Sequence, residues 1–388
     1  MRALVKANNN HRANFRSPCM GELCEPERRQ IMKLAILGAT GAVGMQMIKC
    51  IEERKINCEL KLLASKNSAG KKVKVNIAGT EKEITIEETT EKSFEGMDFV
   101  LGAVEADFSK QYAPAIVKAG VVFIDNSSAF RMDPEVPLVV PEINGDDAKN
   151  NKGIIANPNC STIITDMAIY GINKISKIKS IVASTYQAVS GAGVGGMKAL
   201  DEQVEYLANH KDIPNHRISS LMKDENAFVG ASYASPSFTS DSFKYQIAYN
   251  LIPCIGSFTD NDFTTEEMKM QNESRKIMHL PDLKVTCTCI RVPVMRSHSI
   301  SVTLDLEKKL TVDEVKKALT GLAGVKLVDD QKNHLYPMPL NTTDKDIVEV
   351  GRIRQDLVFE NGISLWCCGD QIRKGAATNA VQILELFL

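Results

Sequence analysis

Residues 32–37 read MKLAIL, a short apolar run, and lead directly into Gly38-Ala39-Thr40-Gly41-Ala42-Val43-Gly44. The next stretch, MQMIKCIEER, carries its apolar residues at helical spacing. A glycine-studded heptad in that position turns a strand sharply into a helix and allows little else. CELKLLAS then reads as a second strand, which completes one βαβ unit with its two strands parallel. Two more apolar runs, MDFVLGAV and VVFIDNS, flank the helical FSKQYAPAIVKAG of residues 108–120. The alternation predicts an α/β fold, a parallel sheet of Rossmann type with helices on both faces.

The same turn has a chemical use. Its glycines allow a pyrophosphate to approach the backbone, and the following helix offers free amides and a positive end. Gly38, Thr40, Gly41, Ala42, Val43 and Gly44 are therefore candidate cofactor contacts. The spacing is G-x-x-G-x-x-G, one residue away from the usual dinucleotide fingerprint, so a glycine-rich turn without a ligand is the competing reading. A carboxylate at the end of the second strand would accept the ribose hydroxyls of NAD. Here that strand ends Ala64-Ser65-Lys66-Asn67-Ser68, with no acid. Ser65, Asn67 and Ser68 point to NADP, although the neighbouring lysines would equally suit a solvated surface.

From about residue 178 the pattern changes. IKSIVASTYQAV, KVTCTCIRVPV and HSISVTLDL are longer and more alternating, as in an α+β domain with a mostly antiparallel sheet. A polar stretch over residues 209–242 reads as a loop-rich insertion. Near the end, Gly375-Ala376-Ala377-Thr378-Asn379 opens the helical AVQILELFL, whose small residues suit a close return to the first domain. The expected boundaries are 1–31 for an extension, 32–160 for the nucleotide-binding domain rejoined by a helix over about 370–388, and 161–369 for a catalytic and dimerisation domain.

The extension has an Asn run, scattered Arg and no apolar periodicity, so it reads as disordered or as an early start before Met32. Its basic, acid-poor beginning hints at a transit peptide, but it lacks the apolar centre of a secretory signal. Deleting residues 1–31 is expected to leave activity and melting temperature unchanged. A truncated protein that precipitates, or melts several degrees lower, would mean that the segment packs on the fold.

A net charge of -1 argues against nucleic acid as a partner, and no stretch approaches a membrane span. Cys50, Cys58, Cys254, Cys287, Cys289, Cys367 and Cys368 sit in apolar or strand-like segments without a secretory signal. Reduced thiols in a cytoplasmic protein follow from that. Cys287 and Cys289 share one strand face, but no second pair completes a zinc site, so no metal is expected.

Asn157-Pro158-Asn159-Cys160-Ser161-Thr162 precedes the apolar, helix-like IITDMAIYGI. Cys160 then stands at a helix N-terminus, where free amides and the dipole favour a thiolate nucleophile. Proton transfers at sulfur and oxygen suit a histidine. His298, in Arg296-Ser297-His298-Ser299, lies in the densest polar cluster, whereas His210, His216 and His334 lie in polar loops.

GATGAVG, NPNCST, YQAVSGAG, RVPVMRSHS and GDQIRKGAATNA, in that order, resemble the successive signatures of the aspartate-semialdehyde dehydrogenase family over residues 32–388. The resemblance implies NADPH-dependent reduction of L-4-aspartyl phosphate through a Cys160 thioester, on the route to lysine, threonine and methionine. It implies that His298 is the acid/base and that Gln187 orients the thioester. Arg291 would bind the substrate carboxylate and Glu266 its amino group. Arg131, Asn159 and Lys269 would hold phosphate, and Ser190, Gly191 and Gln371 would line the cofactor. It further implies a homodimer or homotetramer formed through the second domain.

Three other readings stay open. N-acetyl-gamma-glutamyl-phosphate reductases share the thioester chemistry, but they have glycine before the cysteine and tyrosine after it; Asn159 and Ser161 occupy those places here. Glyceraldehyde-3-phosphate dehydrogenase would show Ser-Cys-Thr-Thr-Asn, which is absent. A non-catalytic NADP-binding paralogue would have no use for Cys160, Gln187, Arg291 and His298 together.

Overall fold

The computed structural model describes residues 31–209 and 242–388. The extension up to residue 30, residues 210–241 of the polar stretch, and with them His210 and His216, lie outside the described residues. In chain order the first half runs β1 (Met32–Leu37), α1 (Ala42–Glu53), β2 (Cys58–Ala64), β3 (Lys72–Ile77), β4 (Thr80–Thr85), β5 (Glu87–Glu88), β6 (Phe99–Gly102), α2 (Ala106–Lys118), β7 (Val122–Asp125), α3 (Pro141–Asn144) and β8 (Ile154–Ala156). The second half runs α4 (Cys160–Ile175), β9 (Ile178–Gln187), α5 (Gly193–Asn209), α6 (Thr265–Ile277), β10 (Lys284–Arg291), β11 (His298–Leu306), α7 (Val312–Leu319), β12 (Val325–Leu327), α8 (Pro339–Thr342), β13 (Val348–Gln355), β14 (Gly362–Gly369) and α9 (Thr378–Glu385).

The first sheet has the order β5-β2-β1-β6-β7-β8, with every pairing parallel. Its central strands are continuous apolar runs because helices cover both faces. On one face, α1 and α9 pack through Met47, Ile51, Val381 and Leu384 onto Leu34, Ile36, Leu62 and Ile124. On the other, α2 packs through Ala113 and Ile116 near Ala35, Val100 and Phe123. The β1–α1 turn depends on two glycines. Gly38 has φ +87°, and a Cβ on Gly44 would run into the Gly38 carbonyl oxygen.

The second sheet has the order β10-β9-β11-β14-β13-β12. Its three inner pairings are antiparallel, and the two outermost are parallel. One face is covered by α4, α6 and α7, whose apolar residues merge with those of the strands in one core. Helix α4 is buried over most of its length, with Ile163, Ile164, Met167, Ile169 and Ile172 fully enclosed, as suits a core helix. Truncating Ile164 to alanine would cost ~2–5 kcal/mol, so the first residue of α4 stands on a rigid support. A π-helical turn, Arg373–Ala377, precedes α9 and touches both α1 and α4.

The opposite face of the second sheet carries Ser184, Ser301 and Trp366 in one register row and Thr303 beside Ser364 in the next. Val182 on that face is 42% exposed, although its neighbours in β9 on the inner face are buried. Among the described residues no helix is long and apolar enough to cross a membrane.

Candidate active site

Cys160 opens α4, and Asn159 caps it: the Asn159 Oδ1 accepts from the Ser161 amide at 3.0 Å and the Thr162 amide at 3.3 Å. That local chemistry holds the sulfur at the mouth of the helix. The sulfur faces a cavity of about 600 Å³ lined by Gly41, Ala42, Val43, Arg131, Asn159, Gln187, Ser190, Gly191, Glu266, Lys269, Arg291 and Gln371. His298, the first residue of β11, lies behind the sulfur, fully buried, with Nε2 3.3 Å from Cys160 Sγ.

Arg131 reaches the cavity because Asp125, at the end of β7, fixes the loop between them. The buried Asp125 carboxylate accepts from the Ser109 hydroxyl at 2.7 Å and the Ser127 hydroxyl at 2.6 Å. Arg131 donates from Nε to the Asn157 carbonyl (2.9 Å), from Nη2 to the Asn126 carbonyl (2.7 Å) and from Nη1 to Glu273 (3.1 Å). A guanidinium has five N–H groups, so one remains on each terminal nitrogen for an anion. Arg291 ends β10 and donates from Nη1 to the Ala188 carbonyl at 2.7 Å.

Glu266, in the first turn of α6, is almost wholly buried. It accepts from Lys269 at 3.0 Å, from Asn159 Nδ2 at 3.0 Å and from Gln187 Nε2 at 3.3 Å. Burial alone would raise its pKa, but the Lys269 charge and these hydrogen bonds hold it below the usual carboxylate value. Ser190 and Gln371 serve each other: Gln371 Nε2 donates to the Ser190 hydroxyl, and Gln371 Oε1 accepts from the Ser297 amide at 2.8 Å. Ser297, directly before His298, has φ 71°, so this bond secures a left-handed residue at the start of β11.

The expectation of a thiolate at Cys160 needs correction. Burial and the Glu266 charge push the Cys160 thiol up to about 12, against the pull of Arg131, Arg291 and Lys269. Burial and the Arg291 charge push His298 down to about 3. Burial therefore favours the thiol form of Cys160 and the uncharged ring of His298. Desolvation outweighs the helix terminus here.

A second cavity, about 380 Å³, adjoins the first through Gly41, Ala103 and Val104, and is lined also by Gly38, Thr40, Ser65, Lys66, Glu88, Phe108 and Tyr112. Asn67, Ser68 and Gly44 line neither cavity. The sequence shows no acid at the end of β2, but parallel pairing of Ala64 with Glu88 brings one to the same place from β5. Glu88 left no local signal, because it lies 24 residues beyond Ala64 and reaches it only through the sheet.

Glu273 is the other residue missed. Its carboxylate takes Arg131 on one oxygen and the Asn159 amide, at 2.6 Å, on the other. Glu266, Met270, Glu273 and Ile277 recur at helical spacing and are all buried. An acid on the core side of an amphipathic helix was a usable signal. Cys287 and Cys289 do share a strand face, with their sulfurs 3.7 Å apart.

Two family models match the chain: "Semialdehyde dehydrogenase, NAD binding domain" over residues 33–151 and "Semialdehyde dehydrogenase, dimerisation domain" over residues 171–374. The aspartate-semialdehyde dehydrogenase of Synechocystis sp. is 44% identical over 358 residues, 92% of this chain and 97% of that one. Its counterpart from Bacillus subtilis is also 44% identical, over 91% of this chain and 96% of that one. Among solved structures, aspartate semialdehyde dehydrogenase II from Vibrio cholerae complexed with ASA superposes with a TM-score of 0.82 at 37% identity, covering 92% of this chain and 98% of that one.

Proposed function

The chain belongs to the aspartate-semialdehyde dehydrogenase family, and from that premise we propose that it reduces L-4-aspartyl phosphate to L-aspartate 4-semialdehyde through a thioester on Cys160. It is an NAD(P)-dependent oxidoreductase acting on an aldehyde. The observation that carries the reading is the sulfur of Cys160, 3.3 Å from His298, facing a cavity that also presents Arg131, Arg291 and Lys269.

The substrate has an anion at each end, and the cavity has cations to match. We assign the phosphate to Arg131 with Lys269 and Asn159, and the carboxylate to Arg291, whose position Ala188 fixes. Glu266 would receive the substrate ammonium. Gln187, tied to Glu266, would hold the acyl oxygen so that the carbonyl faces the cofactor side. Mixing the enzyme with aspartyl phosphate in the absence of cofactor should leave an aspartyl thioester on the Cys160 peptide. Label on another residue, or none, would remove the mechanism.

The cofactor fits the adjoining cavity. The Gly38–Gly44 turn opens α1 with no acid in its first turn, leaving free amides for a pyrophosphate. When bound, the nicotinamide supplies hydride to the thioester carbon. Ser65 and Lys66 favour the 2′-phosphate of NADP, and Glu88 on the same wall opposes it. NADP is expected to exceed NAD at least about tenfold in kcat/KM, roughly 1.4 kcal/mol, and Glu88→Ala should widen the gap. Equal efficiency with both cofactors would mean that the wall reads the ribose hydroxyls.

We place the dimer contact on the face of the second sheet opposite α4, α6 and α7, around Val182, Ser184, Tyr186 and Trp366, within the stretch matched by the dimerisation-domain model. A tetramer would pair two such dimers. The cytoplasm, which keeps a working thiol reduced, is the compartment that suits this chemistry.

A further inference from the structure

Lys374, in the π-helical turn before α9, is fully enclosed, and it lines neither cavity. Its Nζ donates to Glu142 Oε2 at 2.6 Å, to Asn379 Oδ1 at 2.8 Å and to Gln382 Oε1 at 2.8 Å. Three N–H groups meet three acceptors, which saturates an ammonium. Burial lowers its pKa, and the Glu142 carboxylate in contact with it opposes that pull.

An ammonium can only donate, so the amide oxygen of Asn379 faces Lys374 and the amide nitrogen points away. That nitrogen donates to the Val139 carbonyl at 2.9 Å and to Asn157 Oδ1 at 2.7 Å. Asn157 is thereby oriented in turn, and its Nδ2 donates to Asn126 Oδ1 at 2.8 Å. Asn126 Nδ2 donates to the Gly102 carbonyl at 2.8 Å. A main-chain carbonyl can only accept, so the far end of the chain demands the same direction as the lysine. Turning over any one of the three amides would set like atoms against each other on both of its sides.

The chain runs along one edge of the first sheet. Asn157 follows β8, Asn126 follows β7 and Gly102 ends β6, the C-terminal edge at which parallel sheets hold their ligands. The main-chain carbonyls of Asn157 and Asn126 are also the two that seat Arg131, at 2.9 and 2.7 Å. Resting on the assignment of phosphate to Arg131 made above, we propose that Asn379, set by Lys374, is a positioning residue that aligns Asn157 and Asn126 and so holds the two carbonyls beneath Arg131. Neither Lys374 nor Asn379 touches the cavity, so both act on the anion only through that arginine.

Gln382 supplies the control. It lies three residues after Asn379 on α9 and takes another N–H of the same lysine, but its amide nitrogen donates to Glu142, away from the chain. In the full-length enzyme, turning over aspartate semialdehyde with NADP, Asn379→Leu is expected to raise the phosphate KM ~10-fold or more. The semialdehyde KM and the single-turnover burst of NADPH should stay within about twofold of wild type. Gln382→Leu should leave the phosphate KM within about twofold as well. Asn379→Ser stays polar beside Lys374 but is too short to reach Asn157, and it gives the same reading where the leucine variant does not fold. An unchanged phosphate KM in the Asn379 variants, or an equal rise in Gln382→Leu, would reduce the cluster to general support of α9 and overturn the proposal. Inorganic phosphate titrated calorimetrically without substrate should bind the Asn379 variants ~10-fold more weakly than wild type. That comparison holds whatever aldehyde the enzyme takes, so an error in the substrate reading would show instead as a missing thioester on Cys160.

Discussion

Cys160→Ala is expected to lower turnover by ~10⁴-fold or more, because no other group in the cavity can form the thioester. NAD(P) binding should survive, since the glycine turn and the cavity lined by Ser65 and Tyr112 lie beyond the sulfur. Iodoacetamide should inactivate the wild type in step with loss of the Cys160 thiol, and aspartyl phosphate should slow that loss. The remaining cysteines among the described residues are buried apart from Cys254, so the peptide map follows Cys160 and Cys254 together with Cys19 and Cys24 of the extension. Residual activity within about tenfold of wild type would mean that catalysis does not pass through this sulfur.

Arg131→Leu should separate phosphate handling from chemistry at sulfur. The substitution removes a cation that lines the cavity and leaves Glu273 buried without its partner. kcat/KM for aspartyl phosphate is expected to fall by ~100-fold or more, the cost of about 2–4 kcal/mol for losing a charge-assisted contact to a desolvated anion. Formation of a thiohemiacetal from the semialdehyde and Cys160 involves no phosphate. A single-turnover burst of NADPH from semialdehyde should therefore survive, while steady-state turnover slows at phosphorolysis. From the sequence alone, a surface ion pair with Asp133 or Glu135 competes with this role for Arg131. In the structure its carboxylate partner is the buried Glu273, and Glu135 pairs with Lys152. An unchanged phosphate KM in a variant with wild-type melting behaviour would take Arg131 out of the site.

What the sequence made legible was local. A strand, a glycine turn and a helix in succession leave one topology, and an Asn-Cys-Ser-Thr run before an apolar segment places the cysteine at a helix start. His298 was findable from its dense polar cluster and Gln187 and Arg291 only through the family resemblance; the structure sets all three at strand ends of the second sheet. The contacts that the sequence hid are made across long separations. Glu273 reaches Asn159 over 114 residues, and Glu88 meets Ala64 only through strand pairing. The ionisation of Cys160 was misread for a related reason. The helix terminus is a local feature, but the desolvation that outweighs it comes from distant elements closing over the sulfur.

Side-by-side steady-state kinetics with aspartate semialdehyde and N-acetylglutamate semialdehyde, each with NADP and phosphate, test the central claim most directly. If Arg291 holds the substrate carboxylate and Glu266 faces its ammonium, as proposed, the site requires a free amino group, which acetylation turns into a neutral amide. The expected result is phosphate-dependent NADPH formation with aspartate semialdehyde at ~100-fold or greater kcat/KM than with the acetylated analogue. Equal efficiencies, or a preference for N-acetylglutamate semialdehyde, would contradict the assignment of this site to aspartyl phosphate chemistry.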